Sequence, residues 1–172
     1  SIHSLSTNSS IGFSSANPLT GAIVFDKSVI IANIYQYTIN NETAAKNEQP
    51  VTHSSFLNYQ PQFANLSMKK AYISTDDGST AIMIQPEQGK AYKADFKSEI
   101  KRVANFHWSP NDNYLVATIN SQLQLFTEKS KRWQTLLPEQ KNIHYVHFSN
   151  DKNIIFSSDV SGDWQIWQFN IS

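Results

Sequence analysis

The sequence contains no cysteine. That excludes disulfides and thiolate metal sites and leaves the chain neutral between the cytosol and a bacterial periplasm. It also lacks any apolar run approaching the roughly 18 residues of a membrane-spanning helix. Charge of either sign is scarce and balanced, with Lys+Arg 14 against Asp+Glu 14. A nucleic-acid surface needs a basic face, and here Lys69-Lys70, Lys101-Arg102 and Lys129 to Arg132 fall in separate stretches. Glycine is sparse, at 5 residues, and none stands in a Gly-x-Ser-x-Gly arrangement. The strained strand-to-helix elbow that presents a hydrolase serine is therefore not encoded.

What is present is a repeat. Phe106-His107-Trp108-Ser109-Pro110-Asn111-Asp112-Asn113-Tyr114-Leu115-Val116-Ala117-Thr118 is echoed by Val146-His147-Phe148-Ser149-Asn150-Asp151-Lys152-Asn153-Ile154-Ile155-Phe156-Ser157-Ser158. Trp108 and Phe148 stand one period of 40 residues apart. Such a period means one supersecondary unit per repeat, stacked on its neighbours. Each copy has a short strand ending in an aromatic, a polar turn, an apolar run, a second turn and an alternating strand. Leu123-Gln124-Leu125-Phe126 and Trp164-Gln165-Ile166-Trp167-Gln168-Phe169 are those last strands, apolar at period two.

Two looser copies lie upstream. Phe63 opens one, with Ala71 to Ser74 and Ala81 to Ile84 as strands and Asp76-Asp77-Gly78 as the turn between them. Phe13 opens the other, with strands at Ala22 to Phe25 and Ile34 to Tyr37 and a polar loop over 40–49. Arg132 to Leu137, Ala91 to Phe96 and Pro50-Val51-Thr52 supply a fourth strand between copies. Four strands per unit describe a β-propeller blade. The expected fold is all-β, a single domain over 1–172, with repeats near 7–53, 54–96, 97–137 and 138–172. Phe13, Phe63, Trp108 and Phe148 are the repeat-defining aromatics. Residues 1–6 form a strand that closes the last blade, and four repeats make a small ring, a ring shared with a second chain, or part of a longer propeller.

These residues resemble the TolB-type, WD-like propeller repeat. Trp108-Ser109-Pro110-Asn111-Asp112 matches its aromatic-Ser-Pro-Asp-Gly half, and Ser158-Asp159-Val160-Ser161-Gly162 with Ile166-Trp167 matches the rest. Asn113 and Asn153 occupy the place of the usual glycine, and Asn is the best substitute in a left-handed turn. The resemblance implies an exported, periplasmic bacterial protein. It further implies a ligand-binding or protein-interaction role, as in the sensory parts of membrane-anchored transcriptional regulators of the CadC/ToxR kind, or in TolB-like envelope scaffolds. The fold itself names no chemistry.

Candidate chemistry is thin. His107 and His147 hold equivalent places in adjacent repeats, where two imidazoles could share a metal. Packing between blades is the simpler reading, since no carboxylate lies at ligand spacing. Ser74 to Thr80 resembles the Asp-box of sialidase propellers without its final aromatic, which makes it a hairpin turn. Asp76-Asp77 is solvated, with a loose Ca²⁺ contact as the alternative. Trp108, Trp164, Trp167 and Phe169 could line a carbohydrate or peptide site, but their repeat positions read as core. Trp133, on an outer strand, reads as the exposed aromatic. Lys131 and Arg132 beside it are candidates for gripping an acidic partner or lipid headgroups.

The expected function is a non-catalytic binding module without cofactor. Its partner is a protein, peptide or small ligand at the propeller face, with self-association through open blade edges and no direct nucleic-acid binding. The enzyme alternative is the propeller of a prolyl-oligopeptidase-like peptidase or of a lyase with axial histidines.

Overall fold

The computed structural model describes residues 14–16, 20, 22–25, 30–37, 48–76, 79–140 and 142–171. Phe13, the strand at 1–6 and the turn residues Asp77 and Gly78 lie outside them. Every regular element among the described residues is a β-strand. No helix there is long and apolar enough to cross a membrane. The chain divides into two compact units, Ser1–Asn58 and Tyr59–Ser172.

Among the described residues the first unit has four three-residue strands. β1 (Ser14–Ala16) pairs antiparallel with β2 (Ile23–Phe25), and β3 (Tyr35–Tyr37) with β4 (Glu48–Pro50). Where the sequence suggests one four-stranded blade, these form two separate two-stranded sheets. Hairpins this short cannot bury an apolar face, and Ile23, Val24, Tyr35 and Tyr37 are exposed. Order comes instead from polar ties. The Thr52 hydroxyl accepts from Ile34 N at 2.9 Å and donates to Asn33 Oδ1 at 3.0 Å, and Asn58 N donates to Ala32 O at 2.9 Å.

The second unit is built of blades. Strands β5 (Leu57–Phe63), β6 (Lys70–Asp76), β7 (Ser79–Gln85) and β8 (Tyr92–Lys93) make the first sheet, hydrogen-bonded in that order. Strands β9 (Val103–Trp108), β10 (Tyr114–Ile119), β11 (Gln122–Thr127) and β12 (Arg132–Thr135) make the central one. Strands β13 (Ile143–Phe148), β14 (Asn153–Ser158) and β15 (Gln165–Asn170) make a three-stranded terminal sheet.

The strongest repeat is reproduced in register. Leu115 pairs with Trp108 as Ile154 pairs with Phe148, and Phe126 pairs with Leu115 as Phe169 pairs with Ile154. Trp108 and Phe148 are both buried. Phe63, their counterpart in the first sheet, is half exposed at 50%. Gln60, three residues before it in β5, has a left-handed φ of 54, a break in the regular extended backbone.

Strand β10 of the central sheet reads as a near-continuous apolar run because both faces of that sheet are covered. Leu115, Ala117, Ile119, Phe106, Trp108 and Phe126 join Ala71, Ile73, Ile82 and Ile84 of the first sheet in one core. Val116, Leu123 and Leu125 join Val146, Phe148, Ile154 and Phe156 of the terminal sheet in a second.

The turns carry the left-handed residues, and not where the resemblance puts them. Asp112 has φ 57, whereas Asn113 and Asn153 are not left-handed. Asn120 and Ser121, at φ 51 and 63, form the two-residue hairpin loop between β10 and β11 that matches the natural twist of the strands.

Candidate functional site

Alternation along the strands assigns each side chain of the terminal sheet to one of two faces. One face, with Val146, Phe148, Ile154 and Phe156, packs on the central sheet. The other holds Tyr145, His147, Ile155, Ser157 and Ile166. With Asn105 these residues line a cleft of about 370 Å³.

The register gives each of them a counterpart in the central sheet. Leu123 pairs with Thr118 as Ile166 pairs with Ser157, so Ile166 takes the place of Leu123 and Ile155 that of Val116. Leu123 is 0% exposed and Ile166 81%. The same apolar position is a core residue in one blade and a surface residue in the next.

Polar groups pin the terminal sheet against its neighbour. The Asn105 side-chain amide donates to Val146 O at 2.9 Å and accepts from Val146 N at 3.1 Å. The Thr118 hydroxyl donates to His144 O. Tyr145 stands at the place of Asn105 and lacks the amide that could repeat the Asn105 clasp one blade further on.

The turn aspartates form a second inter-blade device. The bonds Ala64 N to Lys69 O, Ser109 N to Tyr114 O and Ser149 N to Asn153 O are the same bond in three blades. Counted from them, Leu66 and Asn111 are equivalent. Leu66 N donates to Asp112 Oδ2 at 3.0 Å, and Asn111 N donates to Asp151 Oδ1 at 2.9 Å. The central and terminal blades thus each offer a carboxylate to the turn of the blade before them. Asp112 also accepts from Asn65 N at 2.6 Å and from the Ser67 hydroxyl at 3.0 Å. Asp151 has no such second amide, because the residue equivalent to Asn65 is Pro110, which lacks an N–H.

His107 and His147 do meet, at the edge of the cleft. Their ring centroids lie 3.7 Å apart with a 33° tilt. Each Nδ1 faces the carbonyl of the next residue, Trp108 O at 2.9 Å and Phe148 O at 2.5 Å. A carbonyl only accepts, so Nδ1 carries a proton in both rings. Burial, and then the adjoining His147, push the His107 pKa below its ordinary value of 6.5. The pair is a stacked seam, with His107 half-buried and His147 exposed. No group of three or more His, Cys, Asp or Glu gathers into a metal-binding set among the described residues.

The basic-aromatic candidates lie elsewhere. Trp133 is half-buried rather than exposed. Its indole N–H donates to Ala94 O at 3.0 Å, and its ring meets Phe96 and Phe126 at 5.9 and 5.2 Å. It closes the seam between the first and central sheets, which β12 borders. Lys131 is engaged too, with Nζ 2.6 Å from Glu128 Oε1 and 4.4 Å above the Tyr92 ring. Glu128 also pairs with Lys69 at 3.2 Å and accepts from the Tyr92 hydroxyl at 3.1 Å. Burial and that carboxylate drive the Tyr92 pKa up. Arg132 is exposed.

Of the aromatics expected in the core, Trp167 and Phe169 pack partly against it. Trp164 does not: it is 55% exposed and edge-on to His144 at 4.7 Å. The Asp-box-like stretch forms the β6–β7 hairpin, with the Ser79 hydroxyl donating to Asp76 O at 2.8 Å. Tyr145, Ile155 and Ile166 did not stand out in the sequence as surface residues. Their pattern is that of core positions, so the exposure of Tyr145 and Ile166 was not legible in it.

No protein-family model matches the chain, and no curated protein sequence does. Solved structures do. TolB of Acinetobacter baumannii superposes with a TM-score of 0.59 at 18% identity, over 94% of this chain and 39% of that one. A chain of the nidogen/laminin complex gives 0.60 at 7% identity, over 81% of this chain and 54% of its own. A protein described as TolB of Agrobacterium tumefaciens gives 0.51 at 12% identity, over 73% and 62%. The chain therefore spans less than two thirds of each of these neighbours, and what it shares with them is the fold: antiparallel sheets of three and four strands of the TolB-like β-propeller type.

Proposed function

We propose that this chain is a non-catalytic β-propeller binding module of a periplasmic bacterial protein, and that it binds through the open face of its terminal blade. The observation that carries this is the contrast at one repeat position, Leu123 fully buried and Ile166 81% exposed. Exposed apolar area that gathers around a cleft marks an interaction surface. The likeness to TolB structures supports an envelope location. The likeness to a chain in a nidogen/laminin complex supports a protein-interaction role for such blades. Within that reading, the finer role is the sensory part of a membrane-anchored transcriptional regulator, which rests on the repeat resemblance alone. An envelope scaffold is the second reading, favoured by the TolB neighbours.

Two measurements test it. Cell fractionation of the native protein is expected to place this segment in the periplasm. A photo-crosslinking residue at position 166, introduced in the full-length protein in its own cells, is expected to capture a protein, whereas one at position 132 does not. A cytosolic segment, or equal capture from both positions, sinks the proposal.

A further inference from the structure

We infer that the occupant of the terminal face is a second copy of this chain, with the first unit of one copy covering the terminal blade of the next. This names the partner of the face proposed above and rests on that reading.

The interface it continues already exists inside the chain. Val116, Leu123 and Leu125 of the central sheet are sealed by Val146, Phe148, Ile154 and Phe156 of the terminal one. One further step of the same stacking puts Ile155 and Ile166 under another apolar sheet. The face is built for that and little else. Tyr145, His147, Ile155, Ser157 and Ile166 include no formally charged side chain, and the Nδ1 of His147 is committed to Phe148 O. A charged peptide or a nucleic acid finds no counter-charge there.

The same chain carries exposed apolar strand residues that another sheet face would cover. Ile23 and Val24 in β2 and Tyr35 and Tyr37 in β3 are exposed strand residues, with Val24 at 68%. They belong to two-stranded hairpins that gain stability only when a sheet packs on them. Val24 on β2 is one such exposed position, and its pairing with the terminal face of another copy makes a head-to-tail contact. Such contacts close into a ring or grow, according to the rotation they impose.

Sedimentation velocity over a dilution series of the full chain tests this. The unaltered chain is expected to associate. Ile166→Glu and Val24→Glu, at exposed positions that leave the circular dichroism spectrum unchanged, are each expected to raise the dissociation constant more than about tenfold, or about 1.4 kcal/mol. An equimolar mixture of the two variants is expected to form a mixed dimer, since each supplies the surface the other lacks. A chain that stays monomeric at every concentration overturns the inference. So does a Val24→Glu variant that associates like the unaltered chain, which is the result for a face that meets its own copy. Photo-crosslinking from position 166 separates the two levels. Capture of only a different protein, or a link within one chain, overturns the second copy and leaves the face a binding site. No crosslink at all removes both.

Discussion

The central and terminal blades are two copies of one sequence pattern with opposite fates. Val116 and Leu123 lie in the core, and their counterparts Ile155 and Ile166 line an open cleft. Nothing local distinguishes them, since all four are aliphatic, on strands, at matching register. The difference is what lies across the sheet. A propeller repeat encodes a two-faced apolar sheet, and the position of each copy in the stack decides whether a face becomes core or binding surface.

The largest expected effect tests the shared half of that comparison. Trp108→Ala removes the largest fully buried side chain, and should cost about 3–5 kcal/mol by leaving a cavity. Trp108→Phe should cost far less, because Trp108 Nε1 is a buried donor without a partner. Urea denaturation of both variants checks this, and a near-neutral Trp108→Ala would show that the repeat aromatics do not hold the blades.

Next comes the divergent half. Leu123→Ala should cost about 2–5 kcal/mol, and Ile166→Ala should stay within about 0.5 kcal/mol in the dissociated chain. Equal costs for the two, measured well below any association threshold, would mean that the terminal face is covered after all.

The aspartate bridges give a smaller contrast. Asp112 is buried and accepts three hydrogen bonds from the preceding blade. Asp112→Ala should cost about 1.5–3 kcal/mol, the range for hydrogen bonds to a charged group. Asp151 is exposed and accepts one, so Asp151→Ala should fall within about 0.5 kcal/mol. Reversal of that order would refute the inter-blade role drawn from the turn geometry.

The smallest effect is the pH response of the histidine seam. His107 is held below 6.5 in the folded chain, so the unfolded chain binds its proton first. The contribution of His107 to stability is then complete above about 6.5 and is lost as pH falls toward its lowered folded value. Denaturation midpoints should drop through that window, and His107→Gln should flatten the profile. A His107 resonance titrating at or above 6.5 by NMR would contradict the burial of its ring against His147.

Much of this architecture was legible in the sequence, for reasons visible at single residues. Period-two alternation in Leu123 to Phe126 fixed strand and face together. The aromatic before each polar turn marked Trp108 and Phe148 as core. The meeting of His107 and His147 followed from equal places in adjacent repeats. Trp133 was misjudged as exposed, because an outer strand by itself does not reveal the Phe96 and Ala94 that cover it. The left-handed turn residue was placed at Asn113 instead of Asp112, because one turn is a residue longer than the other and sequence alone does not say where the extra residue sits.

What the sequence determined by itself was therefore the kind of object: all-β, repetitive, with blades of two apolar faces and polar turns. Those properties come from local alternation and backbone preference, which neighbouring residues set. Tertiary structure alone decided which faces are buried, that Asp112 and Asp151 bridge blades, and that Ile166 meets solvent. Each of these depends on residues some 40 or more positions away, and a side chain's pattern along a strand specifies the face it joins without specifying what, if anything, is stacked upon it.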